Sequence, residues 1–132
     1  MDSQEFKRLR AELSKTQNEM AQLLGTSLKA VHSYEQGWRK VPGHVERQML
    51  FLLACQRNRE GRLAACWKVK HCPPETRRRC PAWEFQVGGL CWFVNGTICE
   101  GVVYRDWQEK MKVCRQCEVL RPLLGPPVQP ED

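Results

Sequence analysis

The stretch from residue 17 to residue 37, QNEMAQLLGTSLKAVHSYEQG, decides the fold of the first half of the chain. Met20, Ala21, Leu23 and Leu24 put apolar groups on one side of a short helix. Gly25 lets the backbone turn without a Cβ penalty, and the Ser27 hydroxyl stands where it caps a second helix. In that second helix Ala30, Val31 and Tyr34 are spaced to face inward, while Lys29, His32 and Ser33 fall on the other face beside Leu28. Two helices, a tight turn and a polar outer face suit a helix that enters a DNA major groove.

The flanks extend the same pattern. Upstream, EFKRLRAELS (5–14) has Phe6, Leu9 and Leu13 at helical spacing. Thr16 followed by Glu19 fits a capping box for the next helix. Downstream, Gly37 is the expected C-terminal stop, and WRKVPG (38–43) reads as a basic loop with Trp38 plugging the helix ends. A last helix is expected after Pro42, reaching about Arg59 on a stripe of Val45, Met49, Leu52 and Leu53, with Cys55 buried in its apolar face. The expectation is a mainly α chain whose residues 1–60 form a bundle of four or five helices.

Residues 6–55 resemble the Cro and repressor-type helix-turn-helix family of phage regulators, the Xre family. The matching residues are Gln17, Glu19, Met20, Ala21, Leu24, Gly25, Ser27, Val31, Tyr34, Glu35 and Gly37, then the basic loop ending in Pro42. The resemblance implies a repressor-like bundle that binds double-stranded DNA, with Gln17 on a phosphate and Leu28, Lys29, His32 and Ser33 facing base edges beside Ser27. Arg39 and Lys40 would hold phosphates, which set register and carry no sequence information. Leu28 departs from the family pattern, where a polar residue is usual. One such helix seldom gives enough affinity alone, so a homodimer on a two-fold site is expected.

The formal net charge of +6 over 132 residues suits a polyanionic partner. The opening MDSQEFKRLR has no apolar run of signal-peptide length, and no window approaches a membrane span. A cytoplasmic protein is therefore expected, and in that compartment thiols stay reduced. This matters because the chain holds eight cysteines. Disulfides become the less expected use for them.

Seven of those cysteines lie between Cys66 and Cys117, among prolines and glycines that break residues 61–121 into loops and short pieces. Cys66-Trp67 is followed by Cys72, and Cys91-Trp92 by Cys99, an internal echo. Only 106–112 reads as a convincing helix, leading into the Cys114-x-x-Cys117 pair. Trp67, Trp83, Trp92 and Trp107 are expected as core fillers, and Arg77, Arg78 and Arg79 as an exposed basic loop. Hydrophobic content is too scattered for a self-sufficient core, so cross-links or a metal are expected to support the fold. Three uses of the thiols compete: tetrahedral zinc, an iron-sulfur cluster, or redox-sensing thiols that form disulfides. The proline-rich tail, 122–132, is expected to be disordered.

Residues 66–120 resemble the two-CW domain, a cysteine-rich bacterial module, through CW at 66–67, HCPP at 71–74, CPA at 80–82, GGLCW at 88–92, GTIC at 96–99 and CRQCEVL at 114–120. The resemblance implies a sensory role and candidate metal ligands Cys66, Cys72, Cys80, Cys91, Cys99, Cys114 and Cys117. Taken together, the expectation is a bacterial transcription regulator with a redox or metal sensor holding an iron-sulfur cluster, of the 4Fe-4S kind. The alternative is a structural zinc or protein-docking module without switching. No catalytic triad, phosphate-cradling loop or paired-carboxylate motif is evident. The Cys-x-x-Cys pair lacks the strand-helix setting of a thiol oxidoreductase. No enzyme, membrane or small-molecule substrate is expected.

Overall fold

A computed structural model of the protein describes residues 1–59 and 64–124. Among these residues the fold is mainly α, with nine helices, one 3-10 turn and no strand beyond an isolated bridge between Cys99 and Val102. No helix among them is long and apolar enough to cross a membrane. The chain divides into two compact units, Met1–Gln56 and Arg57–Asp132.

In the first unit, α1 (Ser3–Glu12), α2 (Gln17–Leu24), α3 (Leu28–Gln36) and α4 (Gly43–Arg59) follow one another with short connections. Local chemistry fixes their ends. The Thr16 hydroxyl accepts from the Glu19 N–H at 3.1 Å, and the Glu19 carboxylate accepts from the Thr16 N–H at 3.0 Å, completing the capping box. Ser27 Oγ accepts from the Ala30 N–H at 3.0 Å at the start of α3. Gly25 closes α2 at φ 65°, a left-handed backbone that a side chain would strain. Phe6, Leu9, Met20, Leu24, Val31, Tyr34, Val45, Met49, Leu50 and Leu53 bury together as the core.

Several expectations need correction. Cys55 is exposed, and Leu50 and Ala54, not Leu52, complete the buried side of α4. That helix is apolar nearly all round from Met49 to Cys55, so periodicity alone does not choose its inner face. Leu23 lies half exposed on α2, and Trp38 stands out in solvent at 71% exposure, plugging nothing. A contact absent from the sequence reading joins α1 to α3. Arg10 grips Glu35 with two hydrogen bonds of 2.6 and 2.9 Å and donates a third, 2.8 Å, to the Lys15 carbonyl. Such a fork-on-fork pair fixes geometry as well as charge.

The second unit is built from single helical turns. α5 (Cys66–Val69), α6 (Pro74–Arg77), α7 (Pro81–Glu84) and α9 (Arg121–Leu124) are four residues each, and a 3-10 turn spans Gly88–Leu90. The short pieces expected between the prolines are there, and two of the prolines start them. Pro74 and Pro81 occupy first-turn positions, where a missing N–H costs nothing and the fixed φ is already helical. α8 (Trp107–Cys114) is longer, and Asp106 caps it by accepting from the Glu109 N–H at 2.9 Å. Trp92, Met111, Val119, Leu120, Leu123 and Leu124 are buried. Leu123 and Leu124 thus correct the reading of 122–132 as a disordered tail; residues 125–132 lie outside the described residues, as do 60–63 of the expected linker, 58–65.

Candidate functional site

Two surfaces carry chemistry, one in each unit. On the first unit, α3 presents Leu28, Lys29 and His32 to solvent, and Ser27, Arg39 and Lys40 are exposed at its two ends. Gln17 is the first residue of α2 and half-buried. The edge of the His32 ring meets Trp38 at a centroid distance of 5.5 Å, and the Arg39 guanidinium lies 5.4 Å from the Tyr34 ring centroid. Ser33 does not join this face. It is buried, and its carbonyl accepts from both the Trp38 and Arg39 N–H groups, at 3.0 and 3.3 Å. The expected place of Ser33 on the outer face of α3 is thus corrected by its burial.

In the second unit, all seven predicted cysteines line one cavity of about 310 Å³. Cys66 comes from α5, Cys80 from the start of α7, Cys91 from the end of the 3-10 turn, Cys99 from the bridge and Cys114 from the end of α8. Cys72 precedes α6 and Cys117 follows α8, so distant loops converge on one space. Gly88 makes one of these approaches possible. A Cβ there would stand 2.8 Å from both the Ala65 Cα and the Trp67 ring. Trp67 meets Trp83 edge to face at 4.9 Å, and Arg77 lies 4.4 Å over the Trp83 ring. Arg77 is therefore a half-buried wall residue of the cavity, not part of an exposed basic loop; Arg78 and Arg79 are exposed.

The thiols are electrically distinct. Cys66 is drawn down to about 7, first by a hydrogen bond from Cys91, with backbone N–H groups and the charge of Lys110 adding to it against burial. Cys91 is held far up as the donor of that bond, and burial adds to the effect. Burial pushes Cys114 up to about 11 while Lys110 opposes the rise. Burial also raises Cys72 and Cys99, with the charges of Cys80 and Cys117 respectively adding to it. The Ile98 N–H donates to Cys80 Sγ at 3.2 Å, a bond that favours an electron-rich sulfur.

Two lysines complete the walls, and neither was singled out by sequence. Lys70 pairs with Glu100 at 2.9 Å. Lys110 is 4% exposed and donates to the Val94 carbonyl at 2.9 Å and to Thr97 Oγ1. Lys110 falls with Trp107, Met111 and Cys114 on the one face of α8 that is not exposed, at i, i+3, i+4 and i+7, but a lysine in that register usually turns its charge to water, so residue type conceals its burial.

Among the described residues, no three His, Cys, Asp or Glu side chains converge closely enough to hold a single metal ion. A zinc ion needs four ligands at about 2.3 Å from one point. A polynuclear core takes its thiolates from around a larger perimeter. The seven thiols are distributed round a cavity, with the Ile98 N–H directed at Cys80 Sγ, and thiolates are the donors that iron-sulfur clusters take. No protein-family model matches this chain, and no curated protein or solved structure matches it.

Proposed function

We propose that the protein is a DNA-binding transcription regulator whose second unit holds an iron-sulfur cluster, of the 4Fe-4S kind, and biases DNA binding with redox or metal state. The observation that carries this reading is the convergence of seven thiols on one cavity, in a chain whose other unit presents an exposed, capped helix after a tight turn. When bound, the cluster supplies one-electron chemistry. The chain's own residues hold and tune it. Cysteines from separate turns give ligands, the Ile98 N–H supports Cys80 Sγ, and the Trp67 and Trp83 rings wall the cavity.

On the DNA side, α3 is nine residues long, about 13 Å, a length that a major groove roughly 12 Å wide admits. Lys29 and His32 would reach base edges, Leu28 a thymine methyl, and Arg39 and Lys40 the phosphates, in a homodimer on a two-fold site.

The deciding experiment is iron, zinc and acid-labile sulfide analysis with an absorption spectrum, on protein purified without air. Iron with sulfide and a visible charge-transfer band is the expected result. Zinc in a colourless protein would replace it with the structural or docking module, and metal-free thiols that cycle to disulfides would establish a thiol switch instead. Cys114→Ser is expected to lower the iron content, and Cys55→Ser, on the exposed side of α4, to leave it unchanged. Operator affinity measured with and without the cluster tests the coupling, which fails if the two values agree.

A further inference from the structure

We infer that Lys110 is the fixed cation that offsets the negative charge gathered in the cysteine cavity, and that it thereby sets the reduction potential of the cluster held there; the inference rests on the cluster reading above. The ammonium is 4% exposed, and both of its acceptors, the Val94 carbonyl and Thr97 Oγ1, are uncharged. Among the described residues no carboxylate is paired with it. A buried ammonium held only by neutral oxygens is costly unless a negative charge lies nearby. The cavity that Lys110 lines also carries seven cysteines, which become thiolates when they hold a cluster.

Two other cations line the cavity, and each has a partner of its own: Lys70, 29% exposed, pairs with Glu100 at 2.9 Å, and Arg77 lies 4.4 Å over the Trp83 ring. Lys110 is 4% exposed and, among the described residues, has no carboxylate paired with it. Val94 and Thr97 aim it, since two acceptors from one loop fix the ammonium against α8.

The consequence is electrostatic. Reduction adds one electron to the cluster, with no bond made or broken, and a nearby fixed positive charge favours the more negative state. Removing that charge makes reduction harder and moves the potential down.

The test compares wild type, Lys110→Met, Lys110→Arg and Thr97→Val, each full length and reconstituted without air with iron and sulfide. The midpoint potential is read by titration with dithionite, and iron and sulfide content is measured alongside. Lys110→Met is expected to keep its cluster and to lower the reduction equilibrium constant at least tenfold, 59 mV for one electron. Lys110→Arg should hold close to wild type, and Thr97→Val, which only loosens the ammonium, should shift the same way by less. Loaded Lys110→Met and Thr97→Val proteins with the wild-type potential would overturn the inference and leave the cluster reading intact. If Lys110→Met does not load, Thr97→Val decides in the same terms. A wild-type protein that takes up no iron or sulfide would overturn the cluster reading and this inference together.

Discussion

The two units solve the same problem of size in opposite ways. Residues of the first unit bury Phe6, Leu9, Met20, Val31, Met49 and Leu53 against one another, with four helices long enough to present apolar faces. Residues of the second unit bury few large side chains and arrange helices of a single turn around a cavity walled by sulfur. A four-residue helix cannot stabilise itself, since nucleation alone outweighs its few hydrogen bonds. Such pieces are held by tertiary contacts, here the burial of Trp92, Met111, Leu120, Leu123 and Leu124 and whatever the cavity would bind. The first unit is held through its interior packing, while on the proposed reading the second leans on what its cysteines would bind.

On the cluster reading, removing the metal should separate the units most sharply. Chelation under reducing conditions is expected to withdraw binding energy on the order of 10 kcal/mol or more, judged from structural metal sites in small domains. Amide hydrogen exchange should then show protection lost across 64–124 and kept in α1 to α4. Equal protection in both units after chelation would break the comparison.

The next largest effect belongs to the first unit. Arg10→Met leaves the buried Glu35 carboxylate without its partner and should cost about 3–5 kcal/mol in denaturant unfolding of that unit. Metal content should not change. A loss of metal in this variant would mean that the units do not stand independently.

Lys29→Ala sharpens the reading of α3. It should weaken binding to the specific operator by about 1–3 kcal/mol and leave random DNA little affected. Equal losses on both would make Lys29 a phosphate contact. Ser33→Ala, beneath the surface, is expected to act on stability and not on sequence preference.

The smallest effect lies at the capping box. Thr16→Ala should cost about 1 kcal/mol of unfolding free energy. Hydrogen bonds from the Thr16 backbone and hydroxyl hold the Glu19 carboxyl below its ordinary 4.5. Its contribution is therefore present above that value and is lost as pH falls through the lowered one. Glu19→Gln should flatten this acid limb, and an acid unfolding profile matching wild type would remove Glu19 from the account.

Legibility in the sequence follows the same division. Caps and turns are local chemistry, so Thr16, Gly25, Ser27 and Gly37 could be placed by spacing alone. α4 could be seen but not oriented, because apolar residues surround it and Cys55 competes with Ala54 for the inside. Arg10 and Glu35 lie 25 residues apart and are both of a type that usually faces water, so no periodicity announces their pairing. The cysteines advertise a site by number and spacing, but their convergence depends on how successive turns stack. That is a property of three-dimensional packing, whereas the burial of Lys110 is concealed by its residue type.

Gly88 is a spacer gauge for that stacking. Its missing methyl lets the 3-10 turn approach Ala65 and Trp67 to a distance no side chain permits, and the turn delivers Cys91 to Cys66. The separation between these two sulfurs is thus written at a residue that bears no sulfur. Adding one carbon there would press on Ala65 and Trp67 and part the two sulfurs without removing either thiol, so the position holds the tolerance of that approach in a single hydrogen atom.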